Sequence, residues 1–167
     1  MTDIAYIGEH TWAGTLGHLF TSLSLVGAIV ATLGYFLGAV RKDASWSSLG
    51  RLAFRVHSMA VLGIVVLLFV MLFNHWFEFD YVWKHSNLQM PLRYIASCFW
   101  EGQEGSFLLW TFWHVVIGNI LIARAKDWEP HVMAVFGLVQ VFLAFMLMGI
   151  YVGDLKLGSS QIGRAHV

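Results

Sequence analysis

The side chains with chemistry to offer are eight histidines, ten acids and one cysteine in a chain of 167 residues. His114 lies within the apolar run Ser106–Ala123. An imidazole at that depth is costly to leave unpaired, so it faces protein or a bound group. Neutral, it offers a lone pair to an iron such as that of haem, or it hydrogen-bonds across helices to Ser, Thr or Gln140. His75 and His85 stand among Trp76, Phe79, Tyr81 and Trp83. Each is either a transient axial ligand beside an aromatic surface or a solvated loop residue. Their spacing follows no metal-ligand rule. His18 and His57 fall at the ends of apolar runs, where a ring reaches back to the interface or caps.

Glu101 and Glu104 are near enough in sequence to act as an acid–base pair. No nucleophile accompanies them, and acids at a helix start are ordinary. No P-loop, nucleophile elbow or H-E-x-x-H occurs. Cys98 alone excludes an internal disulfide, a C-x-x-C dithiol and a C-x-x-C-H haem attachment.

These side chains need elements to hold them, and the composition says which kind. With 58% hydrophobic and 12% charged residues and a mean hydropathy of +0.68, the chain is far more apolar than a globular domain. It reads as an all-α, polytopic helical membrane protein with about four transmembrane helices and a short external interfacial helix. Spans are predicted near residues 16–40, 56–73, 106–123 and 132–152. The formal net charge of zero gives no reason to expect nucleic acid as a partner; the partner that the composition demands is the lipid bilayer. In the first span Gly27, Ala31, Gly34 and Gly38 share one face, a pattern that lets helices approach closely. No basic region precedes the first span, so that span itself serves for targeting.

The basic residues orient the spans. Arg41, Lys42, Arg51 and Arg55 fill the predicted first loop, and Arg124 and Lys126 the third. By the positive-inside rule these loops are cytoplasmic. The N-terminus and the stretch 74–105 are then external, the periplasmic side of a bacterial inner membrane. Within that stretch Pro91 suits a helix start. Leu92, Ile95, Ala96, Phe99 and Trp100 recur on one apolar face, too short to span, so this helix lies along the interface. Gly102 and Gly105 break it and turn the chain into the third span. Glu104 and Ser106 fall where a helix N-terminus favours acids and hydroxyls. The junction is thus an external aromatic surface, with Trp100, Trp110 and Trp113 around it.

The segment Trp100–Trp110, W-E-G-Q-E-G-S-F-L-L-W, resembles the W-G-G-H-E-G-S-L-L-L-W segment of CcmF-type cytochrome c assembly proteins. Ser86–Phe99 is similar to the approach to that segment. The G-H-L-F stretch at Gly17 and the G-D-L-K-L-G-S-S stretch at Gly153 also fit, so the resemblance runs along nearly the whole chain. It implies membership of the haem-handling superfamily of CcmF, CcmC and CcsA, whose members present haem outside the membrane to apocytochrome c alongside other maturation subunits. Trp100, Gly102, Glu104, Gly105, Ser106 and Trp110 match the motif; Glu101 replaces its Gly and Gln103 its His. The family's tryptophan-rich haem segment, flanked by ligand histidines, has no match here. The resemblance therefore implies haem as a cofactor with its ligands outside this stretch. It also implies a haem lyase component that is inactive as a fragment.

Residues 1–161 are then expected to be the N-terminal membrane part of a longer assembly protein. Ile162–Val167 reads as a translated sequencing adapter. Two rivals stand beside this reading: half of a secondary transporter, which also uses glycine-broken helices, and a di-haem quinone-linked subunit, which needs paired histidines within its spans.

Overall fold

The computed structural model describes residues 10–148 in full and the backbone of residues 150–152 and 155–157; Ile162–Val167 lies outside the described residues. Helix α1 (Thr11–Arg41) and helix α2 (Ala44–Phe73) form an antiparallel hairpin. Two short helices follow, α3 (Asp80–His85) and α4 (Leu92–Ser97), and then a 3-10 turn, Cys98–Trp100. Helix α5 (Gln103–Arg124) and helix α6 (Glu129–Met148) make a second hairpin through the 3-10 turn Lys126–Trp128. α1 packs on α2 and α6, and α5 packs on α6 and α2, so the four long helices close into a bundle. All four are long and apolar enough to cross a membrane.

A long apolar helix overlaps each of the four predicted spans, with different ends. The second helix starts at Ala44, well before the predicted start at 56. Asp43 caps it by accepting from the Ser45 N–H at 2.8 Å, and Lys42 stops α1 in a left-handed conformation (φ 54°). Arg51 and Arg55, placed in a loop by the sequence reading, therefore sit on α2. The fourth helix ends at Met148 rather than 152. Beyond it Ile150–Val152 (β1) pairs antiparallel with Leu155–Leu157 (β2), Ile150 opposite Leu157. The stretch 74–105 holds two helices where one was expected. In α4 and its turn, Ile95 and Phe99 are buried but Leu92 and Trp100 are exposed, so the inward face is narrower than the period implied.

The glycine face of α1 packs on α2. A Cβ at Gly34 would lie 2.8 Å from the Gly50 backbone nitrogen, so the two backbones meet there. His57 is a correction. It does not reach to an interface but is fully buried, its ring Nδ1 2.8 Å from the Ser24 carbonyl. That contact makes Nδ1 the protonated nitrogen, donating across the hairpin.

A polar tie at the opposite end of the bundle from the aromatic junction joins three helices. Glu129 opens α6, is 5% exposed, and takes the Arg51 guanidinium of α2 on both oxygens, at 2.9 and 2.7 Å. The Tyr35 hydroxyl of α1 donates to the same carboxylate at 3.1 Å. Two parallel N–H···O bonds to a planar fork fix direction as well as distance.

Candidate functional site

The junction at Trp100–Trp110 is built on Tyr81. Tyr81 and Val82 of α3 are buried, as is Phe79 just before it, while Asp80 pairs with Lys84 one turn on at 2.8 Å. The Tyr81 hydroxyl reaches the 3-10 turn, donating to the carbonyls of Cys98 at 2.9 Å and Phe99 at 3.1 Å. Those carbonyls lie at the end of α4, where a helix leaves acceptors unpaired. The Phe99 ring stacks on Phe69 of α2, centroids 4.7 Å apart and planes 8° from parallel. One phenol and one phenyl ring therefore lock the turn to the bundle.

The two glycines follow from this packing. A Cβ at Gly105 would run into the Phe99 carbonyl oxygen and the Tyr81 hydroxyl. A Cβ at Gly102 would meet the His85 ring at Nε2, 2.9 Å away, and Tyr81 Cε2 at 3.0 Å. The His85 ring stacks on Tyr81 with centroids 4.4 Å apart, and its Nδ1 lies 2.9 Å from the Tyr81 carbonyl. Nδ1–H is thus the donor, and Nε2 is the acceptor turned towards Gly102. Gly102 N-caps α5 without a side chain, and the Ser106 N–H closes the first bond to its carbonyl at 3.0 Å. Ser106 does not cap as expected: its hydroxyl donates back to the Trp100 carbonyl at 3.0 Å. Glu104 stands in the first turn of α5, while Glu101 and Gln103 are exposed. What this frame holds out is aromatic. Trp100 is 47% exposed, Trp110 57% and Trp113 54%.

Burial pushes the Tyr81 hydroxyl up to about 12, with the Glu104 and Glu101 charges adding to it, against a hydrogen bond from the Gly102 backbone. The neutral phenol is the donor form, so its contribution to stability is complete below the ordinary tyrosine value of about 10. That contribution is lost as pH rises through about 12. Tyrosinate absorbance is expected to lose one late-titrating phenol in Tyr81→Phe, with the buried Tyr35 unchanged; an identical titration of the variant would show that the Tyr81 phenol is not buried as described.

A second anchor pins the start of α1 to the same end of the molecule. The His10 ring stacks on Trp76, centroids 3.9 Å apart, and its Nδ1 lies 2.8 Å from Glu78. Burial raises the Glu78 carboxyl, but the hydrogen bonds from the His10 side chain and backbone outweigh it and hold the group below its usual range.

Of the three candidate histidines, the structure brings only His85 to the junction. His75 sits past the end of α2 at φ 55°, its Nε2 buried without a hydrogen bond, its ring tilted against Phe77. His114 stacks on Phe136 of α6, centroids 4.8 Å apart. Its Nδ1 is buried and unpaired among the described residues. Gln140, offered as its partner, instead donates to the Thr111 carbonyl at 3.2 Å. None of the three shares a hydrogen bond or ring contact with another, and no group of three metal-ligating side chains occurs among the described residues. The junction is thus a surface of exposed aromatic rings on a buried polar and glycine frame. Tyr81 is the residue that sequence reasoning missed. It read as one more aromatic in an aromatic loop, because its acceptors lie 17 and 18 residues away.

No protein-family model matches the chain. It is 29% identical over 159 residues to the cytochrome c-type biogenesis protein CcmF of Pseudomonas fluorescens, covering 89% of this chain and 22% of that protein. It is 30% identical over 139 residues to CcmF of Pseudomonas aeruginosa, covering 80% and 21%. The cytochrome c-type biogenesis protein CycK of Bradyrhizobium diazoefficiens is 26% identical over 137 residues, covering 79% and 21%. Among solved structures, "Cytochrome c Heme Lyase CcmF" superposes with a TM-score of 0.77 at 22% identity, over 88% of this chain and 25% of that one. The chain therefore spans about a fifth of the length of the curated relatives it matches.

Proposed function

We propose that this chain, a CcmF-type segment by its similarity in sequence and fold, works in cytochrome c maturation. In this reading it holds an aromatic ledge outside the membrane where haem is presented to apocytochrome c. The carrying observation is the junction itself. Gly102 and Gly105 let α5 start hard against Tyr81, His85 and the Phe99 carbonyl, and Trp100 and Trp110 are held exposed on that frame. Exposed indoles beside a bilayer offer a porphyrin large flat faces to stack on.

The haem iron takes its ligands from outside the described residues, and haem supplies the vinyl groups to which apocytochrome thiols bond. This chain's share is to position: Tyr81 holds the turn, and the glycines set the height of the ledge. The ledge and the start of α1 lie on the periplasmic side of a bacterial inner membrane, and the Lys42 and Lys126 turns in the cytoplasm. Other maturation subunits are the expected neighbours. A transporter reading is weaker, because the glycine pair sits at the rim of the bundle and not midway along a helix.

Two measurements test this. In cells whose only copy of the protein carries Trp100→Ala with Trp110→Ala, covalently bound c-type haem should fall about thirtyfold with protein abundance unchanged, since aromatic stacking contributes on the order of 1 kcal/mol for each of the two rings. Undiminished holocytochrome would overturn the haem reading. Separately, Glu101→Cys should react with a membrane-impermeant maleimide added outside, while the native thiol of Cys98, 1% exposed, stays silent. Reaction only after permeabilisation would invert the orientation.

A further inference from the structure

Three helices meet at Gly118 of α5. A Cβ there would run into the Phe54 ring of α2 and lie 3.4 Å from Phe136 of α6. From that point α2 and α6 run towards the junction and α5 runs away from it. One turn nearer the junction stand His57 on α2, His114 on α5 and Gln140 on α6, each three or four residues from the meeting point. Residues so spaced share a helix face and differ in level by about 4.5–6 Å. The three therefore face one another at one level of the bundle. Ring contacts agree: His57 lies 5.6 Å from Phe54 and His114 lies 4.8 Å from Phe136. Ser24 of α1 closes the fourth side against His57. This polar layer separates the two apolar clusters of the core, one holding Val61, Leu68 and Leu147, the other Ala31, Phe54 and Met133.

Of the four buried side-chain atoms without a hydrogen bond among the described residues, three belong to this layer: His57 Nε2, His114 Nδ1 and Gln140 Oε1. His57 and Gln140 are fully buried, and the free atom of each is an acceptor. His57 donates through Nδ1 to the Ser24 carbonyl, which leaves a lone pair on Nε2. Gln140 donates through its amide nitrogen to the Thr111 carbonyl, which leaves its oxygen. Two acceptors cannot bond each other. The nearby Thr111 hydroxyl is no help, because it donates to the Phe107 carbonyl at 2.8 Å. Unpaired acceptors are costly in the middle of an apolar bundle, so the layer calls for a small donor with two hydrogens.

We infer that the centre of the bundle binds a single water molecule. It donates one hydrogen to His57 Nε2 and the other to Gln140 Oε1, and its oxygen accepts from His114. About three partners is the usual complement of a buried water. The arrangement assigns His114 the tautomer protonated on Nδ1. It also ties α2, α5 and α6 together at a level where no direct side-chain hydrogen bond joins all three.

The test is magic-angle-spinning NMR of the whole chain in lipid bilayers, with isotopically labelled histidine assigned through the backbone. In the wild type His57 should be neutral, with its proton on Nδ1, and magnetisation should pass from water to Nε2 although the ring is buried. Gln140→Met keeps the length of the side chain and removes the oxygen. It should lose that transfer and keep the Nδ1–H signal, which reports an intact hairpin. His114→Phe keeps a ring on Phe136 and should lower the transfer about threefold, as expected for one lost hydrogen bond. No transfer to His57 Nε2 in the wild type overturns the site. A His57 ring protonated on both nitrogens does so too, since it would then be a donor there. So does transfer that is equal in the wild type and both variants.

Discussion

Gly105→Ala is expected to dismantle the junction around Tyr81. One methyl group is added, and it lands on the Phe99 carbonyl and the Tyr81 hydroxyl together. The first is backbone and the second is anchored by two hydrogen bonds, so neither is the free end of a flexible chain. To admit the methyl, α5 must move away from the 3-10 turn. Tyr81 then loses its acceptors, and buried carbonyls are left unpaired at about 1–3 kcal/mol each. With the overpacking itself, the cost is about 2–5 kcal/mol. The unfolding midpoint in detergent should fall by several degrees or more, and holocytochrome should fall with it. Gln103→Ala, on the exposed side of the same turn, should be neutral by both readouts. If Gly105→Ala melts with the wild type, the packing of the junction is not as described.

Arg51→Leu is the second large effect. It leaves the Glu129 carboxylate with only the Tyr35 hydroxyl at a site 5% exposed. Breaking one side of a buried pair typically costs about 3–5 kcal/mol, because the surviving charge stays desolvated. Glu129→Leu strands a guanidinium whose side chain is 38% exposed, and that cation can turn to water, so its penalty should be smaller. The double variant should be more stable than Arg51→Leu alone, since no charge is then left buried. Thermal unfolding of the three variants reads this out as a cycle. A double variant as unstable as the sum of the singles would show that the pair is not coupled.

The sequence carried the long helices because their apolar runs are long; it carried their ends poorly. The start of α2 was written as Asp43 before Ala44, an ordinary N-cap signal, but the basic residues beyond it pointed to a loop. Arg51 belongs on the helix because its partner is Glu129, 78 residues on, a pairing that no local pattern reveals. His57 misled for the same reason: Ser24 waits for it on another helix. α3 has six residues, too few to show a period. The motif at Trp100–Trp110 was legible as a string, and the glycines as breaks in a helix. Why those two positions exclude a side chain became visible only with Tyr81 and His85 beneath them.

The closure of α6 against α1 bears on how the chain is made. α6 emerges from the ribosome more than a hundred residues after the start of α1, yet the two are direct neighbours. Until Glu129 has been synthesised, Tyr35 and Arg51 wait in a half-assembled hairpin without their acceptor. Such sequence-distant closures slow assembly. A nascent chain stalled before α6 would therefore hold α1 and α2 without the carboxylate that ties Tyr35 and Arg51 together.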